Sequence, residues 1–197
     1  MPESETASLP CPPPELAVVI PTYREAENVE EIVRRARLTL AGIDWELIFV
    51  DDDSPDGTAD RVRALSRSDR RVRVLQRVGR RGLASACIEG MLATSAPFLA
   101  VMDGDLQHDE TLLPRMLEVA KAEGLDVVVG SRYADGGDVG SWSTRRQSMS
   151  RLATRLAQLL IRADLKDPMS GFFLVRAEVV HENVARLTGV GFKILLD

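Results

Sequence analysis

Short apolar runs rich in β-branched residues alternate along this chain with segments whose apolar positions recur every three or four residues. The first kind predicts strands at Leu16–Ile20, Glu46–Val50, Val72–Gln76, Phe98–Met102 and Val127–Gly130. The second predicts helices at Ala26–Leu40, Thr58–Arg67, Leu83–Ala93 and Thr111–Glu123, then a longer one at Thr144–Ile161 before a last strand near Gly171–Val175. Such alternation implies an α/β fold, a mostly parallel sheet with helices on both faces. The Gly- and Asp-rich stretch Tyr133–Ser143 reads as a loop. Residues 1–14, acidic and proline-rich, read as a disordered tail, which leaves 15–197 as one domain. The chain stops at Asp197 just after the apolar pattern Phe192 to Leu196, so this domain is expected to lack its C-terminal portion.

Composition changes this picture little. A hydrophobic content of 45% and a charged content of 28% are ordinary for a globular domain. No apolar run approaches the roughly 18 residues that span a bilayer, and no secretory signal is present. A net charge of −5 argues against a nucleic-acid partner, but the charge is uneven. Nine arginines lie between Arg61 and Arg81, and Arg145, Arg146, Arg151 and Arg155 form a second group. These are either solvated helix faces or contacts for anionic substrate or lipid headgroups. Cys11 and Cys87 lack metal-ligand spacing, and His108 and His181 are the only histidines, which disfavours a His-based metal site or triad.

The candidate chemistry lies at the predicted strand ends. Asp103 and Asp105 follow the apolar run that ends at Met102, and period-two geometry sends both carboxylates to one side. Like charges so close favour a cation between them, and hard carboxylate oxygens suit Mg²⁺ or Mn²⁺ shared with substrate phosphates. The bland alternative is a turn or a helix cap. Pro21-Thr22-Tyr23-Arg24-Glu25 lacks the glycine pattern of a dinucleotide fold or a P-loop. In Asp51 to Thr58, Ser-Pro-Asp-Gly is turn chemistry and Asp56 a candidate cap, which leaves three successive aspartates to explain; one could accept from a nucleobase or a ribose. Gly82 is either a close-approach point for a ligand or an N-cap. Arg132 suits a phosphate, and Arg146 and Ser150 share a helix face. Phe172 and Phe173 are either core or the wall of an apolar channel.

Six segments occur in order: Pro21 to Glu25, Asp51 to Thr58, Met102 to His108, Gly130 to Tyr133, Ser170 to Phe173 and Gly191 to Leu196. On these the chain resembles the dolichol-phosphate (polyprenol-phosphate) mannosyltransferases, a branch of the family 2 glycosyltransferases with a Rossmann-like GT-A fold. The resemblance covers about Leu16 to Asp197. It implies transfer of mannose from GDP-mannose to a polyprenol phosphate, with inversion, at the cytoplasmic surface of a membrane. Pro21, Tyr23, Glu25 and Asp52 would hold the nucleotide, and Gly104, where such enzymes often carry alanine, would contact the donor through its backbone. Asp103, Asp105 and Gln107 would bind Mg²⁺ or Mn²⁺ with the donor diphosphate. Arg132, Arg146 and Ser150 would bind the acceptor phosphate, Asp105 and Arg132 being closest to the chemistry, and the loop Tyr133–Ser143 would close over the donor. In this family the chain continues through a further strand and often membrane-anchoring helices. The competing expectations are another donor such as UDP-glucose, or a nucleotide-sugar-binding domain without turnover.

Overall fold

The computed structural model describes residues 12–130 and 170–189. Six strands form one sheet: β1 (Leu16–Thr22), β2 (Trp45–Asp51), β3 (Val72–Gln76), β4 (Phe98–Val101), β5 (Val127–Val129) and β6 (Phe173–Arg176). Their spatial order is β3-β2-β1-β4-β6-β5. Strands β3, β2, β1 and β4 are parallel, whereas β6 runs antiparallel to both β4 and β5. The expected mostly parallel sheet is therefore present. The reversed sense of β6 was not foreseen, because no local pattern encodes direction.

Every residue of β1 and β2 is buried, as expected for strands covered on both faces. Leu16, Val18 and Ile20 face a core with α1 (Val29–Thr39), α2 (Thr58–Ser66) and α4 (Leu113–Glu123). Ala17 and Val19 face a second core with α3 (Leu83–Leu92) and α5 (Ala177–Asn183), a helix the sequence patterns did not reveal. Phe172 joins the first core and Phe173 the second, so the paired aromatics are core residues on opposite faces.

Two strand ends differ from expectation in a way that shapes the site. Strand β1 continues through Pro21 and Thr22, paired with Val50 and Asp51 of β2. Its pairing with β4 stops at Val19 and Val101, so the missing N–H of Pro21 disrupts no ladder on that side. Strand β4 ends at Val101, one residue early, which puts Asp103 and Asp105 in a turn. Strand periodicity therefore does not set where their carboxylates point. The helix predicted at Thr144–Ile161 and the loop Tyr133–Ser143 lie outside the described residues.

Helix α3 is seated unusually close to the sheet. A Cβ on Gly90 would collide with Val19 Cγ1 and lie 2.8 Å from Val50 Cγ2. Gly90→Ala should therefore cost about 1–3 kcal/mol in urea unfolding, the usual range for overpacking. Unchanged stability would mean that α3 can lift from the sheet without loss.

Candidate active site

The carboxyl ends of β1, β2, β4 and β5 and the amino end of the antiparallel β6 meet at one edge of the sheet. Here the β1 loop is fastened to the β2 loop. The backbone N–H of Arg24 donates to Ser54 Oγ (2.9 Å), that of Glu25 to Thr58 Oγ1 (3.1 Å) and that of Ala26 to Asp56 Oδ2 (3.2 Å). These donors are occupied, so this turn is not a phosphate cradle, in line with its lack of glycine. Asp56 also accepts from the backbone N–H of Thr58 at 3.1 Å, but it precedes the N-cap of α2, which is Gly57, so it supports the turn and does not cap the helix as expected.

The three successive aspartates divide their work. Asp51 is fully buried and accepts from the Ser54 N–H (2.9 Å) and Ser54 Oγ (2.5 Å), so it shapes the turn. Asp53 adopts a left-handed conformation (φ 57°) and accepts from Gln76 Nε2 at 3.0 Å. Asp52, the predicted nucleotide ligand, accepts from the Gly82 N–H at 2.7 Å and pairs with Arg77 Nη1 at 3.1 Å. Arg77 is only 2% exposed; it also donates to Gly82 O (3.0 Å) and Ser85 Oγ (2.7 Å). The buried Asp52 Oδ1 has no hydrogen-bond partner and faces only this ion pair. Asp52 thus anchors the β3–α3 turn, where Gly82 holds a φ of 143° that favours glycine. Arg77 escaped sequence reading because it is one of nine clustered arginines and burial has no local signature. Six of those nine are ion-paired, which leaves Arg67, Arg70 and Arg81 without a carboxylate partner among the described residues.

Tyr23 is 37% exposed at this edge, with the Arg81 guanidinium 4.4 Å and the Arg24 guanidinium 5.4 Å from its ring centre. Pro21 is buried beneath it. Glu25 Oε2 accepts from Asn28 Nδ2 at 2.6 Å, and the same nitrogen lies 3.1 Å from Gly104 O. Asn28, unremarked in the sequence, therefore joins the β1 loop to the acidic turn. Burial raises the Glu25 pKa, the Asn28 hydrogen bond opposes this, and the charges of Asp105, Asp56 and Asp103 raise it further. Asp103 and Asp105 are therefore close enough for their charges to act on Glu25. Gly104 is buried, and a Cβ there would lie 3.2 Å from Thr22 Cγ2, a tight but adjustable contact.

In the acidic turn, Asp105 Oδ1 accepts from the Gln107 N–H at 3.1 Å, and Leu106 holds a φ of 60°. That left-handed leucine costs roughly 1–2 kcal/mol locally and is held by packing on the first core. Among the described residues, no three His, Cys, Asp or Glu side chains form a group that could hold a metal unaided. Asp103 and Asp105 offer only hard carboxylate oxygens, a donor set that fits Mg²⁺ or Mn²⁺ completed by phosphate oxygens and water.

The Ser170–Phe173 segment locks onto this turn. Ser170 Oγ donates to Gly130 O at 2.8 Å, and the Gly130 N–H donates to Phe172 O at 2.9 Å. The Phe172 ring fills the space a Gly130 side chain would need, and a Cβ on Gly171 would lie 2.7 Å from Asp103 Oδ2. Cys87 lies nearby; burial raises its thiol pKa to about 12, which makes it chemically inert. Arg132, Arg146 and Ser150 lie outside the described residues.

An open, mostly parallel sheet with one reversed strand and an acidic turn beyond a central strand is a fold of GT-A type. The structure of glucosyl-3-phosphoglycerate synthase from Mycobacterium tuberculosis with Mn²⁺, UDP-glucose and phosphoglyceric acid matches with a TM-score of 0.64 at 22% identity, over 85% of this chain and 58% of that one. At that identity the likeness speaks for the fold alone. The sequence pattern of glycosyl transferase family 2 matches residues 17–184, and the chain belongs to that family. It is 44% identical to the dolichol-phosphate mannosyltransferase of Pyrococcus furiosus over 92% of its own length. It is 34% identical to that of Saccharomyces cerevisiae over 93% of its length. The chain spans 51% of the first relative and 69% of the second.

The two glycines of the lock should respond differently. Gly130→Ala meets a buried ring and should cost about 1–3 kcal/mol in urea unfolding. Gly171→Ala meets only a movable carboxylate, so the melting temperature should hold within a few degrees while Asp103 is displaced. The imidazole ¹⁵N resonances of His108, which touches Asp103, should then move while those of His181 stay fixed. Static His108 resonances would show that Asp103 does not occupy the space above Gly171.

Proposed function

We propose that residues 15–197 form the catalytic domain of an enzyme that transfers mannose from GDP-mannose to the phosphate of dolichol or another polyprenol, in a metal-dependent reaction with inversion. The observation that carries this reading is 44% identity, over nearly the whole chain, to a dolichol-phosphate mannosyltransferase. The acidic edge beside Tyr23 supports it. On this reading Pro21, Tyr23, Glu25 and Asp52 hold the nucleotide, Asp52 by fixing the Gly82 turn against it. Gly104 borders the donor through its backbone. Asp103, Asp105 and Gln107 hold Mg²⁺ or Mn²⁺ at the diphosphate, and Arg132, Arg146 and Ser150 hold the acceptor phosphate.

The chemistry of the acceptor fits such a site. A phosphate monoester has its second pKa near 6, so at pH 7 it is largely a dianion and needs no side-chain base. A bound cation supplies charge neutralisation on the leaving diphosphate. What remains for the protein is alignment: Tyr23 and the Gly82 turn fix the nucleotide, and the arginines bring the acceptor oxygen to the anomeric carbon. A lipid acceptor places the reaction at a membrane surface, on its cytoplasmic side. No helix among the described residues is long and apolar enough to cross a membrane.

The test is transfer of radiolabelled mannose from GDP-mannose to a short polyprenol phosphate, run with Mg²⁺ or Mn²⁺ and with EDTA. Metal-dependent label in the lipid phase is expected, with a loss of about a hundredfold or more in Asp105→Ala. Label from UDP-glucose but not GDP-mannose would overturn the donor assignment. Near-normal turnover by Asp105→Ala would overturn the metal assignment.

A further inference from the structure

His108 lies at the end of the acidic turn with its side chain 15% exposed and its Nε2 3.1 Å from Asp103 Oδ2. Its ring stacks on Phe172, with centres 5.3 Å apart and planes 26° apart. Phe172 cannot shift easily, because it is buried, fills the space above Gly130 and is hydrogen-bonded to Gly130 through its backbone oxygen. The imidazole therefore has a fixed plane, set by a ring just before β6 and not by the turn itself. On its other side Asp103 is confined by Gly171, whose missing side chain is the space the carboxylate occupies. One Asp103 oxygen is thereby tied down, while Oδ1 has no hydrogen-bond partner among the described residues. Asp105 has no comparable support: its carboxylate is tied only to the backbone N–H of Gln107.

We infer that His108 is a positioning residue: its Nε2–H holds Asp103 Oδ2, and its stack on Phe172 aims Asp103 Oδ1 at the divalent cation. The inference rests on the proposal that Asp103 binds that cation. Hydrogen-bond donors behind a ligand fix its orientation, and losing one typically weakens metal binding about 10–100-fold. A role in packing alone predicts something different. A phenylalanine at this position would keep the stack and the buried area but lose the donor, and metal binding would be unaffected. Glutamine would lose the ring but keep a donor that reaches the Nε2 position.

The experiment measures Mn²⁺ binding to the whole chain by electron paramagnetic resonance, with GDP saturating, and GDP binding without metal by calorimetry. His108→Phe should raise the Mn²⁺ dissociation constant about 10–100-fold, with metal-free GDP binding within about twofold of wild type. His108→Gln should recover Mn²⁺ binding to within a few-fold of wild type. Phe172→Leu, which keeps His108 but frees its ring, should weaken Mn²⁺ several-fold, and it serves as the readout should His108→Phe not fold. Wild-type Mn²⁺ affinity in His108→Phe, or equal losses in the Phe and Gln variants, would overturn the role of the hydrogen bond. Equal Mn²⁺ affinity in wild type and Asp103→Asn would overturn the cation assignment itself, and with it the inference.

Discussion

The carboxyl edge of the sheet carries more negative charge than the nearby side chains neutralise. The charges of Asp103 and Asp105 reach Glu25 there, and Glu25 and Asp105 have no basic partner among the described residues. The adjacent buried arginine, Arg77, is engaged by Asp52 and Glu89. Repulsion of this kind would splay the loops apart unless something held them. The hydrogen bonds from Asn28 to Glu25 and Gly104, from His108 to Asp103, and across the β1 and β2 loops hold the charges in place. The unfavourable electrostatics of this edge are offset by packing deeper in the sheet, and on the proposed function a bound cation would relieve them.

Much of this was legible in the chain, for identifiable reasons. Alternating strand and helix patterns located β1 to β4 and α1 to α4 to within a few residues, because burial on both faces of β1 and β2 leaves continuous apolar runs. The acidic turn and the Ser170–Phe173 segment stood out as residue types too unusual in order to be turns alone. The connections between those segments were not legible. Arg77 and Asn28 act through partners three to 76 residues away in the chain, and nothing in their immediate neighbours marks them; His108 stood in the Met102–His108 segment, but its contacts with Asp103 and Phe172 did not show there. The reversed direction of β6 has the same origin, since pairing sense is a tertiary choice. The period-two argument for Asp103 and Asp105 does not apply as made: the strand ends at Val101, and a left-handed Leu106 turns the chain beyond it.

Glycines 130 and 171 illustrate how a motif can encode a contact. Each stands where another part of the site fills the place of a side chain, an aromatic ring in one case and a carboxylate in the other. The Ser-Gly-Phe order is therefore a description of shape as much as of chemistry. It lets a strand begin beside the acidic turn while Phe172, the aromatic residue just before that strand, supports His108.

The clasp between Gly130 and Ser170 has a wider implication. The chain leaves the sheet at Gly130 and returns beside it at Ser170, joined by hydrogen bonds that involve neither Asp103 nor Asp105. The intervening stretch holds Arg132, Arg146 and Ser150, the residues assigned to the acceptor. On the proposed function, the edge that would hold the donor is therefore built from contacts that do not pass through the residues proposed for the acceptor: whatever stands between Gly130 and Ser170, the clasp itself keeps these two ends together.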